Sequence, residues 1–213
     1  KYKDIISAID RKIEEQKIIS SPKVIAVSKT FGLEKILPLI EHGHLDYGEN
    51  KVQEAIDKWS DIKLKNQDIK LHLIGKLQTN KVKHAIKLFD YIHSVDSIKL
   101  AKKISDEQIR QNKIVKLFIQ VNIGNEDQKS GVKIDEIDEL IIFSKKSNLN
   151  IIGLMCIPPA NEEPDKYFKQ MKFLSKKFNL LETSMGMSSD YLKAVENSST
   201  YLRIGSSIFG ARN

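Results

Sequence analysis

Short apolar runs and amphipathic helical patterns alternate eight times along the chain, and this rhythm constrains the fold more than any other feature. The runs cover residues 24–28, 45–47, 71–75, 91–95, 115–121, 151–156, 181–184 and 201–204. Near-continuous apolar strands of this kind are buried on both faces, as in a parallel sheet covered by helices. Helical patterns follow over about 33–42, 52–59, 82–89, 97–111, 134–146, 164–178 and 189–196, and another, about 2–18, precedes the first strand. Asn80 is placed to cap the helix after the third strand, the helix over about 134–146 carries Ile137, Leu140, Ile141 and Phe143, and that over about 164–178 carries Phe168, Met171, Phe173 and Leu174. Strand–helix alternation implies right-handed crossovers. Eight units without a linker imply a closed (β/α)8 barrel in one domain spanning 1–213. An open doubly wound sheet is the competitor, and it lacks the expected G-x-G-x-x-G after the first strand.

The first strand carries the chemistry. Val24-Ile25-Ala26-Val27-Ser28 runs into Lys29, then Thr30-Phe31-Gly32. A lysine enters such a run only when it is paired, exposed at the tip or chemically employed. Lys29 stands at the C-terminal strand edge, where parallel α/β folds bind ligands. In such barrels a phosphate often sits on the loops after strands seven and eight. Here those loops read Gly186-Met187-Ser188-Ser189 and Gly205-Ser206-Ser207. Glycine admits close backbone approach, serine adds hydroxyl donors, and a helix begins after Ser188. Strands one and eight are neighbours in a closed barrel, so the amine lies one small molecule's length from that anion site. A lysine beside a bound phosphate points to a Schiff base with pyridoxal 5′-phosphate, and Arg203, on strand eight between them, would face the ring.

Composition narrows the remaining classes. The formal charge is +7, but 31 of the 35 Lys+Arg residues are lysine, spread along every helix. Arginine is the usual residue for bidentate phosphate and base readout, so a solvated lysine surface is expected rather than a nucleic-acid site. The scarcity of arginine singles out Arg203 and Arg212. No apolar stretch approaches the roughly 20 residues of a membrane span. Neither a secretory leader nor, with Cys156 alone, an internal disulfide is expected. A cytoplasmic location follows as the expectation.

Several motifs then resemble the YggS/PROSC family across nearly the whole chain. They include Ala26-Val27-Ser28-Lys29, Gly48-Glu49-Asn50 with Gln53-Glu54, and His72-Leu73-Ile74-Gly75. His93-Ser94-Val95-Asp96-Ser97, Lys129-Ser130-Gly131, Ser184-Met185-Gly186-Met187-Ser188 and Arg203-Ile204-Gly205, with Arg212, continue the match in order. The resemblance implies a fold type III TIM barrel that binds pyridoxal 5′-phosphate on Lys29 and stores or delivers it without catalysis. Ser188, Gly205 and Ser206 would hold the phosphate, with Met187 in the same loop. Arg203 would approach the pyridine nitrogen, and Asn50 would line the pocket. Apo-enzymes that use the cofactor are the expected recipients, and a monomer is expected rather than a dimer.

The sequence departs from the family at Leu71, where Trp is usual, and at Ser198, where Gly is common; both read as packing changes. It stops at Asn213, short of the customary Asp-Tyr tail. The competing reading is a fold type III racemase or decarboxylase. Such enzymes add a β domain and a second acid–base group, and eight βα units leave no residues in this sequence for that domain.

Other candidates carry less. His72 and His93 lie in strands and read as core or pocket-wall residues; His42, His44 and His84 read as surface residues. No pair has metal-ligand spacing, and no metal is expected. Glu49 is either a base near the cofactor or the partner of a barrel lysine. Cys156 reads as a small core residue, since no histidine is placed to activate it. Lys129 is either a second amine that accepts cofactor in transit or an ordinary loop lysine.

Overall fold

Eight strands close on themselves in the computed structural model, which describes residues 1–211. Helix α1 (Tyr2–Gln16) precedes β1 (Lys23–Val27), α2 (Leu33–Glu41), β2 (Asp46–Glu49), α3 (Val52–Lys65) and β3 (Lys70–Leu73). Then come α4 (Val82–Leu88), β4 (Tyr91–Val95), α5 (Ile98–Gln111), β5 (Lys116–Val121), α6 (Ile137–Lys146) and β6 (Ile151–Cys156). The chain continues through α7 (Asp165–Lys177), β7 (Glu182–Met187), α8 (Tyr191–Glu196), β8 (Tyr201–Ile204) and the single turn α9 (Ser206–Phe209). Each strand pairs in parallel with the next, and β1 closes the barrel on β8 with Ile25 opposite Arg203. This is the expected (β/α)8 barrel.

Two cores result from strand alternation, because successive side chains face opposite sides of the sheet. Outward-facing Ala26, Leu71, Leu73, Ile92, Leu117, Ile119, Leu154 and Leu202 pack against helix residues such as Ile36, Trp59, Phe89, Ile104, Leu140 and Phe168. Each such fully buried side chain stabilises the fold by roughly 1.5–3 kcal/mol relative to exposure. A smaller inner cluster, Ile25, Tyr91, Phe118, Met155 and Tyr201, fills the barrel itself.

Several local expectations are corrected. β2 continues through Gly48 and Glu49, and β7 through Met187, beyond where their apolar runs stop. Asn80 does not cap α4: it sits inside a 3-10 turn (Thr79–Lys81) that feeds the helix directly. The cap of this kind falls instead on Ser97, whose Oγ accepts the Leu100 amide at 3.3 Å at the start of α5. Phe173 faces solvent, being 66% exposed. His44 is buried rather than superficial. Its Nε2–H donates to the Asp46 carbonyl at 2.8 Å and its Nδ1 accepts from the Tyr2 hydroxyl at 2.9 Å, which ties α1 to β2. Ser198 holds a left-handed backbone with φ 60°, so its departure from glycine concerns the backbone rather than packing. Leu71 is a packing residue, wholly buried on the outer face.

The inner core also holds a polar chain. Asp46 Oδ1 lies 3.0 Å from His72 Nε2, and His72 Nδ1 lies 3.0 Å from His93 Nε2. His93 Nδ1 is 2.9 Å from Ser184 Oγ, which accepts Arg203 Nη1–H at 2.7 Å. Arg203 can only donate and the Asp46 carboxylate can only accept. With both rings neutral, one proton arrangement satisfies every member: each N–H or O–H points toward Asp46. Stacking suits neutral rings, with His72 on Tyr91 at 4.1 Å and His93 on Phe118 at 4.3 Å. Burial lowers the pKa of both histidines, that of His93 well below the usual value, where His72 and Arg203 add to the effect. Burial also lowers the pKa of His44.

The sign of the pH effect follows. A histidine whose folded pKa is depressed binds fewer protons than in the unfolded chain, so its stabilising effect is complete above the unfolded value near 6.5 and falls as pH drops. Each such histidine contributes a slope of up to about 1.4 kcal/mol per pH unit below that value. Denaturant unfolding at pH 7 and pH 5 should show a clear loss of stability at pH 5, and a loss of smaller size in His93→Gln. Equal stability at both pH values would contradict the neutral pair.

Candidate functional site

The candidate residues meet because β1 and β8 are bonded neighbours and their C-terminal ends open on the same side. A cavity of ≈ 290 Å³ occupies that mouth, just below the roughly 300–1,000 Å³ of ordinary ligand pockets. Lys29, Asn50, Met187, Ser188, Arg203, Gly205 and Ser206 all line it. Val27, Ile74, Ile157 and Ser189 complete the wall. The three apolar wall residues were not among the sequence candidates. Position at or just past a strand's C-terminal end is the signal that could have found them, since Ile74 and Ile157 stand directly after β3 and β6.

Each polar group is placed by a local device. Lys29 follows β1 in a tight turn in which the Phe31 amide donates to the Ser28 carbonyl at 3.2 Å. Gly186, with φ +91°, lets β7 shift register against β8 between Ser184 and Met187 and so delivers Met187 and Ser188 to the rim. A side chain there would strike Ala194 Cβ at 2.5 Å. Asp190 Oδ1 accepts the Met187 amide at 2.6 Å and fixes the same loop. The amides of Gly205 and Ser207 converge on Ser188 Oγ at 3.2 and 3.3 Å.

Arg203 forms the floor and is 4% exposed. Besides Ser184, its Nη2–H donates to the Cys156 carbonyl at 2.8 Å. Among the described residues no carboxylate lies within ion-pair distance of it; a hydrogen-bonded path through Ser184, His93 and His72 leads from it to Asp46. Burial lowers the guanidinium pKa, opposed by Cys156 and Asp190. Cys156 itself is buried and its thiol is pushed up to about 12, which suits a packing residue rather than a nucleophile.

The two open alternatives resolve toward structure. Glu49 faces away from the cavity and accepts at Oε1 from Ser28 Oγ (2.7 Å), Lys58 Nζ (3.0 Å) and Trp59 Nε1 (3.0 Å). It pairs a lysine, as one alternative held. Lys129 lies off the cavity, bound to Glu126 at 2.5 Å and to the Pro158 carbonyl at 3.1 Å. His72 and His93 are core residues beneath the site, and His42 and His84 are exposed, as expected. Arg212 lies outside the described residues. Volume alone does not mark the site. A groove of ≈ 510 Å³ between α3 and α4 is larger, yet it is lined by Leu64, Leu88 and lysines, away from every C-terminal strand end.

Comparison with known proteins places this geometry. The family described as alanine racemase, N-terminal domain, matches over residues 6–213. The pyridoxal phosphate homeostasis protein of Aquifex aeolicus is 38% identical over 200 residues, which cover 89% of this chain and 87% of that protein. The structure of PipY from Synechococcus elongatus PCC7942 with PLP bound superposes with a TM-score of 0.81 at 34% identity, covering 95% of this chain and all of PipY. An alanine racemase of Clostridium difficile shares the fold alone, with a TM-score of 0.70 at 16% identity, and the match covers 55% of it. No helix among the described residues is long and apolar enough to cross a membrane. The chain thus belongs to the alanine racemase N-terminal domain family and, within it, groups with the pyridoxal phosphate homeostasis proteins.

Proposed function

We propose that this chain, working as one domain over 1–213, binds pyridoxal 5′-phosphate covalently through Lys29 and stores or delivers it. One observation carries the reading: a lysine at the tip of β1 and an amide-and-hydroxyl cradle at the ends of β7 and β8 line one small cavity. When bound, the cofactor supplies an aldehyde that condenses with amines and a ring that withdraws electrons. The residues present fit it. Two backbone amides already converge on one oxygen, that of Ser188, so the loop offers donors an oxyanion can share. Gly205 lets the cradle lie close against β1, because a Cβ there would press on Val27, 3.2 Å from its carbonyl oxygen and 3.3 Å from its Cβ. Asn50 and Ile74 close the side, and Arg203 the floor. The other roles follow the same reading: cytoplasmic location, a monomeric state, and apo-enzymes that use the cofactor as recipients.

Arg203 favours carriage without turnover but does not suffice for it: fold type III racemases keep an arginine there and add a second acid–base group, and among the described residues no such group besides Lys29 lines this cavity. Enzymes that use this cofactor as a strong electron sink commonly set a carboxylate against the pyridine nitrogen. Arginine donates only, so at that position it favours the unprotonated ring. The competing reading is a racemase, in keeping with the shared fold.

Three measurements test these roles. Borohydride reduction followed by peptide mapping should place a pyridoxyl group on Lys29; a stable label mainly on another lysine would overturn the assignment. Gly205→Val should weaken cofactor binding about a hundredfold through loss of charge-assisted contacts, and unchanged affinity would remove the cradle from the site. Incubation with L-alanine in deuterated water should give no α-proton exchange above free cofactor. Exchange that depends on Lys29 at about 1 s⁻¹, the low end for enzymes, would establish the racemase reading instead.

A further inference from the structure

Lys29 sits between two peptide groups that a single ion pair outside the barrel holds. The residue after it, Thr30, has φ 66°. A β-branched side chain in the left-handed region is a genuine strain, and a tight turn usually gives that position to glycine. Such outliers persist only where the surroundings over-determine them. Here the Thr30 amide donates to Glu54 Oε1 at 2.6 Å. Glu54, in the first turn of α3, is paired at 3.2 Å with Lys58 one turn on. The same Lys58 Nζ donates to the Ser28 carbonyl at 2.9 Å and to the buried Glu49 at 3.0 Å. The Ser28 carbonyl belongs to the peptide plane before Lys29, and the Thr30 amide to the plane after it. Both planes that set the direction of the Lys29 side chain are therefore anchored on Glu54 and Lys58.

We propose that Glu54, braced by Lys58, is a positioning residue: it holds Thr30 in the left-handed region and thereby aims the Lys29 amine into the cavity. None of the clamp residues lines that cavity, so they touch neither the anion cradle nor the floor. The inference rests on the function proposed above. In that reading the Lys29 nitrogen replaces the aldehyde oxygen, which leaves as water, and the step depends on how the amine is presented. The clamp should affect this step and leave the grip on ring and phosphate alone.

Two ligands separate these effects. Pyridoxal 5′-phosphate uses the amine; pyridoxine 5′-phosphate, which lacks the aldehyde, uses only the cradle and ring contacts. Glu54→Ala should weaken binding of the first about tenfold, the scale of one strained backbone residue, and leave the second unchanged. Adding Thr30→Gly to Glu54→Ala should restore most of the loss, since glycine adopts φ near 66° without a clamp. Glu54→Gln, which keeps an acceptor for the Thr30 amide, should stay near the parent. Equal losses for both ligands, no loss for either, or no recovery in the Thr30→Gly double variant would each overturn the positioning role. Thermal unfolding confirms that the variants are folded. Borohydride labelling of the unaltered protein keeps the two readings apart. A label away from Lys29 removes the functional proposal and the clamp's role with it, whereas a label on Lys29 with an indifferent Glu54→Ala removes the clamp alone.

Discussion

Pairing of the first strand with the last is the constraint on which the rest depends. Four registered residue pairs, Lys23 with Tyr201 through Ala26 with Ile204, join chain segments almost the whole sequence apart. Without that closure, Lys29 would stand at one edge of an open sheet and Arg203, Gly205 and Ser206 at the other. With it, they share a cavity. The contact is costly in loop entropy, but that cost grows only logarithmically with separation. The continuous outer core from Val24 to Ile204 offsets it.

Closure also creates a volume that side chains must fill, and this barrel fills part of it with polar groups. A charged Arg203 with no adjacent carboxylate would cost several kcal/mol in a dry interior. The path through Ser184, His93 and His72 to Asp46 lowers that cost without bringing two opposite charges together. Every donor and acceptor along it is used, and satisfied buried networks of this kind specify a single arrangement. Asp46 sits at the start of β2, at the opposite end of the strands from the cavity, so a hydrogen-bonded path runs through the barrel interior from end to end. An apolar filling would pack as well, but it would leave the Nη1 donor of the charged Arg203 unpaired at the floor.

Much of the architecture was legible in the sequence because buried parallel strands are written as apolar runs and the helices as a 3.6-residue period. The runs failed where glycine or a buried charge continued a strand: Gly48-Glu49 in β2 and Met185-Gly186-Met187 in β7. Glu49 reads as polar and hence as loop, yet it points outward into a pocket of three donors that only the fold assembles. His44 failed because Tyr2, which packs on it and bonds to it, comes from a distant segment. The site was legible further than the fold details, because lysine at a strand tip and Gly-Ser loops at units seven and eight are chemically unusual there. Its apolar walls, Val27, Ile74 and Ile157, were not, being ordinary strand residues by type.

The alternation of β1 divides labour within three residues. Val27 faces the cavity, Ser28 turns outward to Glu49, and Lys29 turns inward again. An inward lysine on a flexible four-carbon stem takes its starting direction from its own backbone. That backbone, at a strand's end, has already left the sheet's hydrogen-bond ladder. Outward-facing groups are the remaining source of anchorage. Only two residues, Asn50 and Lys51, separate β2 from α3, so the first turns of the helix stand beside the end of β1. A carboxylate and an amine one turn apart there reach the two peptide groups that the sheet no longer holds. The outer layer of the barrel thus holds the backbone on both sides of Lys29, while the inner layer is filled by the Arg203 network.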